Sequence, residues 1–238
     1  MIPIPEGVTV EQAVFADPFS VALHAILKAP PADGALALVY GAGVLGLLSA
    51  AILRTLYPAA RVAIVARYPH QAETAHRLGA HEVITARSPA QVVEAVADLA
   101  SVRVLQPTNG APWLLRGADV VYEHRRLARD AYRGRARGIG ACAGGDYRGG
   151  RPRSLGVDPH YFKEVTLIGS NAFGVEELDG LRMHAMAHYL RLAAQGRFDL
   201  SSLITHRFRL DEFAQAFAVL HAKGRRRAVK GVFDFRAA

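Results

Sequence analysis

An apolar pentapeptide, Leu36-Ala37-Leu38-Val39-Tyr40, runs straight into Gly41-Ala42-Gly43-Val44-Leu45-Gly46. Val44, Leu47, Leu48, Ala51 and Ile52 then recur at spacings of three and four, which puts them on one helical face. The order is buried strand, glycine turn, helix. G-x-G-x-x-G in that setting is the pattern of a dinucleotide-binding first turn. Gly41 permits the sharp turn, Gly43 lets the backbone approach a pyrophosphate, and Gly46 lets the helix pack close to the strand. The first N–H groups of the helix and its positive dipole end would face the phosphates. With 22 glycines among 238 residues, the glycine spacing alone recurs by chance. The strand and helix on either side carry the reading.

Beyond this unit, strand and helix patterns alternate. Arg61–Ala66 reads as a second buried strand, Gln71–Leu78 as a helix stopped by Gly79, and His81–Thr85 as a third strand. Ser88-Pro89-Ala90-Gln91 is a capping box ahead of a helix with Val92, Val93, Val96 and Leu99 on its apolar face. Val102–Leu105 and Ala118–Tyr122 read as further strands. Such alternation predicts an α/β fold, a doubly wound Rossmann-type parallel sheet with flanking helices. From His124 to Arg153 neither period holds, so the sheet is expected to be disrupted at its fifth strand. A strand over Tyr161–Gly169 restores the order. Leu178, Leu181, Ala185, Tyr189 and Leu192 suggest one helix face, closed by Gly196. Asp211 is placed to cap a helix carrying Phe213, Phe217 and Leu220, and Val229–Phe235 reads as a terminal strand. Near the start, Asp17-Pro18 is read as a break between two helical stretches. These patterns divide the chain into a lead-in segment (1–30), a nucleotide-binding unit (31–170) and C-terminal helices and strand (171–238).

Composition narrows the function. The chain is 51% hydrophobic and 21% charged, with no apolar run as long as the ~18 residues that cross a membrane. Its first residues show neither a basic n-region nor a cleavage pattern, so no signal peptide is expected. Cys142, the single cysteine, excludes an internal disulfide and a cysteine-rich zinc site, and a reducing cytoplasm fits. The formal charge is +8. Much of the excess comes from the arginines between Arg125 and Arg153, set against only Asp130 and Asp146. A local excess of that kind is poor evidence for a nucleic-acid partner, and aromatic stacking platforms there are sparse.

Several stretches together resemble the cofactor-binding part of the zinc-dependent medium-chain dehydrogenase/reductases, the alcohol, sorbitol and threonine dehydrogenase family. They are residues 16–25, the glycine turn at 39–46, the Arg77–Ile84 turn, Ala118–Glu123, Val165–Ser170, and the run from Leu203 to Phe235. Two departures stand out. The GroES-like catalytic domain that would supply zinc-binding cysteine and histidine is missing ahead of Met1, which reads as a truncated chain. The arginine-rich stretch replaces the family's next turn and helix. Compensating frameshifts in a GC-rich gene would account for that composition, and a genuine arginine-rich surface loop is the alternative.

The resemblance implies an oxidoreductase that transfers hydride between a nicotinamide cofactor and an alcohol or carbonyl. Gly41, Gly43, Val44, Leu45 and Gly46 would cradle the pyrophosphate. Ala66 stands where NAD-users keep an acid for the ribose, and Arg67 follows it; together they favour NADP over NAD. Gly169, Ser170 and Asn171 would lie near the nicotinamide, and Lys230 would reach the pyrophosphate. Asp17 matches an acidic zinc ligand, but one carboxylate does not make the three-ligand site that catalytic zinc needs. No catalytic residue is assigned: His24, His184, His188 and His206 stand in no metal or proton-relay motif. His184 and His188 are four apart on one face, yet no glutamate follows His184. The competing readings are a non-catalytic NAD(P)-binding module and an arginine-rich nucleic-acid binder. Apolar faces at Phe15, Phe19, Leu23, Phe208 and Phe213 are expected to lie partly bare, which favours a homo-oligomer.

Overall fold

The structure, a computed structural model, describes residues 1–86, 88–106, 112–114, 116–124, 139–143 and 164–236. Apart from His124 and the backbone of 139–143, the arginine-rich stretch and both explanations offered for it lie outside the described residues. The chain opens with α1 (Val10–Ala13) and α2 (Ala16–Lys28). The nucleotide-binding pattern follows as β1 (Leu36–Tyr40), α3 (Val44–Leu56), β2 (Arg61–Ala66), α4 (Pro69–Arg77), β3 (Glu82–Thr85) and α5 (Pro89–Ala100). A short antiparallel pair, β4 (Val104–Leu105) and β5 (Trp113–Leu114), precedes β6 (Val120–Glu123), β7 (Ile139–Ala143) and β8 (Thr166–Ser170).

Six strands form one parallel sheet in the order β3-β2-β1-β6-β7-β8. This is the doubly wound order, in which the chain winds outward in both directions from β1 and leaves a crevice beside its carboxyl end. β1 is buried at all five positions and β2 at all but its first, as strands covered by helices on both faces must be. One side of the sheet carries α2 and α3 on a core that includes Phe19, Leu23, Ile26, Leu47, Leu48, Ile52 and Tyr122. The other carries α5, through Val92, Val93 and Val96.

Several expectations need correcting. The fifth strand of the sheet is present: β7 runs parallel between β6 and β8. Ile-Gly-Ala-Cys-Ala has no readable period, and pairing on both sides defines it as a strand. Asp17-Pro18 does not interrupt a helix. Both residues lie in the first turn of α2, where a proline has no intrahelical N–H bond to lose. Leu178 and Leu181 are not helical. They flank the Asp179-Gly180 turn of an antiparallel hairpin, β9 (Val175–Leu178) and β10 (Leu181–His184). Asp179 and Gly180 have φ of +55° and +72°, the pair of positive values a tight hairpin turn needs. Helix α6 begins only at Ala185 and ends at Ala194. Asp211 does not cap the next helix; its carboxylate pairs with Arg209.

The C-terminal region adds β11 (Ile204–Phe208), helix α7 (Phe213–His221), a short turn of helix at Lys223–Arg226 and β12 (Lys230–Phe233). β11 and β12 pair parallel to each other, apart from the main sheet. The lead-in helices are well covered, against expectation. Phe15, Phe19 and Leu23 are fully buried, and the Phe19 ring lies 4.6 Å from Tyr189 and 4.9 Å from Phe198. Tyr122 donates its hydroxyl to the Ala29 carbonyl, and Tyr189 donates to that of Gln12 at 2.7 Å. Phe208 is also buried. The bare apolar face belongs to α7, where Phe213 is 58% and Phe217 61% exposed. Among the described residues no helix is long and apolar enough to cross a membrane.

Candidate functional site

In a parallel sheet every strand delivers its carboxyl end to the same edge. The glycine turn leaves β1 at that edge, Ala66 and Arg67 leave β2 there, and Gly169, Ser170 and Asn171 leave β8 there. The topology therefore brings together most of the residues singled out in the sequence. Asp17 and Lys230 belong to other elements.

The three glycines do different work. Gly41 has φ +111°, a backbone conformation open to glycine. At Gly46 a Cβ would fall 1.8 Å from the Gly41 carbonyl oxygen and 3.3 Å from Val39 Cγ1, so the helix reaches the strand only because this residue lacks a side chain. Gly43 differs from both. Its backbone is extended, and a Cβ there would meet nothing within 4 Å. Among the described residues, no steric demand requires glycine at this position. Gly43 is also the N-cap of α3, and no side chain caps that end. The first turn carries no acid. Thirteen residues of helix thus present a positive dipole end and N–H groups that no described side chain caps, the arrangement that receives a phosphate.

At the end of β2, Ala66 is fully buried and opposes Thr85 of β3. Arg67 is exposed, its guanidinium carbon 5.6 Å above the Tyr68 ring. At the end of β8, the Ser170 hydroxyl is buried and has no hydrogen-bond partner among the described residues. The Gly169 carbonyl accepts from Lys28 Nζ at 3.1 Å. Asn171 is exposed.

Two residues at this edge were not singled out in the sequence. Glu123 ends β6 opposite Tyr40 and is 1% exposed. His124 follows, its N–H donating to the Tyr40 carbonyl at 3.2 Å and its Nε2 lying 2.7 Å from Ser49 Oγ on α3. Its Nδ1 is buried without a partner among the described residues, and burial pushes its pKa down to about 4. The signal was available: the strand that pairs with β1 opposite β2 always ends at the switch point.

The remaining candidates lie elsewhere. Lys230 Nζ stands 5.8 Å over the Phe15 ring, and burial lowers its pKa against the pull of Asp17. Asp17 is exposed on α2. Among the described residues no group of three or more His, Cys, Asp or Glu could hold a metal ion. The histidines have structural partners. His24 Nδ1 lies 2.7 Å from Glu176 Oε1, and His188 Nε2 lies 3.0 Å from the Glu176 carbonyl. His184 accepts from the Met186 N–H at the start of α6, and His206 stacks on Phe208.

No protein-family model matches the chain. Relatives do. D-xylulose reductase of Scheffersomyces stipitis is 27% identical over 238 residues, which span 98% of this chain and 60% of the relative. Among solved structures, an Escherichia coli CFT073 alcohol dehydrogenase complexed with NADH superposes at TM-score 0.73 with 20% identity, over 98% of this chain and 62% of the other. A zinc-dependent alcohol dehydrogenase from Streptococcus pneumonia superposes at TM-score 0.76 with 17% identity, over 100% of this chain and 62% of the other. The chain thus spans about 60% of the length of the proteins it matches. In sequence the chain is similar to D-xylulose reductase, and its fold is similar to that of solved alcohol dehydrogenases, one of them zinc-dependent.

Proposed function

We propose that this chain seats a nicotinamide dinucleotide at the glycine turn and serves hydride transfer between that cofactor and an alcohol or carbonyl. The observation that carries the reading is Gly43: no described neighbour demands a glycine there, and it opens onto the uncapped start of α3. A pyrophosphate lying across it would accept from the first N–H groups of the helix, with Gly41, Val44, Leu45 and Gly46 shaping the cradle. The adenosine ribose would then reach the end of β2. Ala66 offers no carboxylate for ribose hydroxyls and Arg67 offers a cation, so the fit favours the 2′-phosphate of NADP over NAD. The nicotinamide would lie on the other side of the switch point, near Gly169, Ser170 and Asn171. The Ser170 hydroxyl, without a partner among the described residues, is available to a carboxamide there. Bound there, the nicotinamide ring supplies the hydride chemistry, and the protein supplies its position.

Zinc does not fit the described residues in the same way. Asp17 has no companion ligands and lies in the field of Lys230, so no step is assigned to a metal. The engagement of His24, His184, His188 and His206 in structural contacts favours a second reading, a module that binds the dinucleotide without turning over substrate. Titration with NADPH and NADH, followed by ligand fluorescence and melting temperature, tests the binding. Turnover of simple alcohols separates the two readings. Absence of binding by either nucleotide refutes both.

A further inference from the structure

The C-terminal segment docks onto the second strand–helix unit through a close contact. A Cβ on Gly224 would fall 2.4 Å from Tyr68 Cε1 and 2.6 Å from its Cζ, so the backbone of residue 224 lies directly against the tyrosine ring. The same ring carries the Arg67 guanidinium and stacks on His70 at 5.8 Å and 12°. Arg227 Nη2 bonds Glu73 Oε2 at 2.8 Å, which ties the segment to α4. One aromatic ring thus joins two basic stretches far apart in sequence: Arg67 at the end of β2, and Lys223, Arg225 and Arg226 before β12.

These four cations are exposed and make no ion pair among the described residues. Glu73, the carboxylate α4 provides nearby, is already occupied by Arg227. The start of α4 adds to the positive field, since its first turn holds no acid and no side chain caps it. Like charges gathered without counter-charge repel one another, and a dianion among them removes that repulsion.

On the reading of the glycine turn as a dinucleotide seat, we propose that Arg225 and Arg226 form a second arm of a site for the cofactor's 2′-phosphate. The C-terminal segment then selects the phosphorylated nucleotide together with Arg67. A phosphate monoester carries close to two negative charges and three acceptor oxygens, enough to engage guanidinium groups from both stretches. NADH shares the diphosphate but lacks this group, so the arm discriminates between the two cofactors.

The test titrates the full chain with NADPH and with NADH, comparing the parent with an Arg225→Ala/Arg226→Ala variant and a milder Arg225→Gln/Arg226→Gln variant. Both positions are exposed, so melting temperature stays near that of the parent. We expect NADPH affinity to fall about tenfold in both variants, as loss of a charge-assisted contact does, while NADH affinity stays within about twofold. The parent's preference for NADPH should also shrink as salt rises. Unchanged NADPH affinity in the folded variants, or equal losses for both nucleotides, would overturn the second arm while leaving the dinucleotide seat intact. Failure of the parent to bind either nucleotide would remove the seat itself.

Discussion

Two alanine substitutions three residues apart should have opposite consequences. At Gly46 the new methyl would sit 1.8 Å from the Gly41 carbonyl oxygen, about 1.5 Å inside ordinary contact. The obstacle is backbone, not the far end of a flexible side chain, so α3 must move off β1. Overpacking of this kind falls at or above the upper end of its usual range, about 3–5 kcal/mol. For a chain of this size that lowers the melting temperature by roughly 10 °C. At Gly43 the methyl meets nothing within 4 Å, and the backbone there suits any residue. An alanine N-cap is weaker than glycine, but alanine also restricts the unfolded chain, and the two effects leave about 1 kcal/mol or less. The space it fills is the one proposed for the pyrophosphate. Gly43→Ala should therefore melt like the parent and bind NADPH and NADH at least about tenfold more weakly, about 1.4 kcal/mol. Differential scanning fluorimetry and fluorescence titration on the same samples decide it. A Gly43→Ala chain that binds as the parent does, or a Gly46→Ala chain that melts as the parent does, refutes the division of labour.

Four other outcomes are expected. His124 is held neutral by burial, with its pKa lowered to about 4 from the ordinary value near 6.5. The unfolded chain therefore takes up that proton first, and stability is full above about pH 6.5 and lost as pH falls toward 4. The loss is about 3 kcal/mol and is visible in denaturant midpoints measured across that window. Ser49→Ala removes the partner of Nε2 and should destabilise by about 1–3 kcal/mol at neutral pH, read from the same titrations. Arg67→Asp places a carboxylate where a ribose would lie, so nucleotide titrations should show preference moving from NADPH toward NADH. Replacing Phe213 and Phe217 with serine removes the largest exposed rings of α7, and light scattering should show less self-association at high concentration.

The parts of the fold readable in the sequence were those with a local cause. The glycine turn, the buried strands on either side of it and the Ser88 capping box each declare themselves within a dozen residues, and each is present. Strand β7 could not be read, because Ile-Gly-Ala-Cys-Ala becomes a strand through pairing with β6 and β8. The hairpin at 175–184 carries two conflicting signals: Leu178, Leu181 and Ala185 mimic a helical face, but Asp179-Gly180 is a turn dipeptide that no helix interior should carry. At the site, the strand ends followed from topology once the alternation was recognised. Glu123 and His124 follow the last apolar residue of that strand, Tyr122, and as polar residues they carry no part of its hydrophobic pattern. The approach of residue 224 to Tyr68 had no sequence signal, since it joins elements distant along the chain and depends on a missing side chain.

The most direct test of the seat is a difference measurement at the glycine turn itself. Amide hydrogen exchange would be followed on the purified chain with and without saturating NADPH. Slower exchange is expected at the first N–H groups of α3, residues 44–46, because a bound pyrophosphate would accept from them. Exchange there that is the same with and without nucleotide, at concentrations that saturate any binding, would contradict the assignment of this turn.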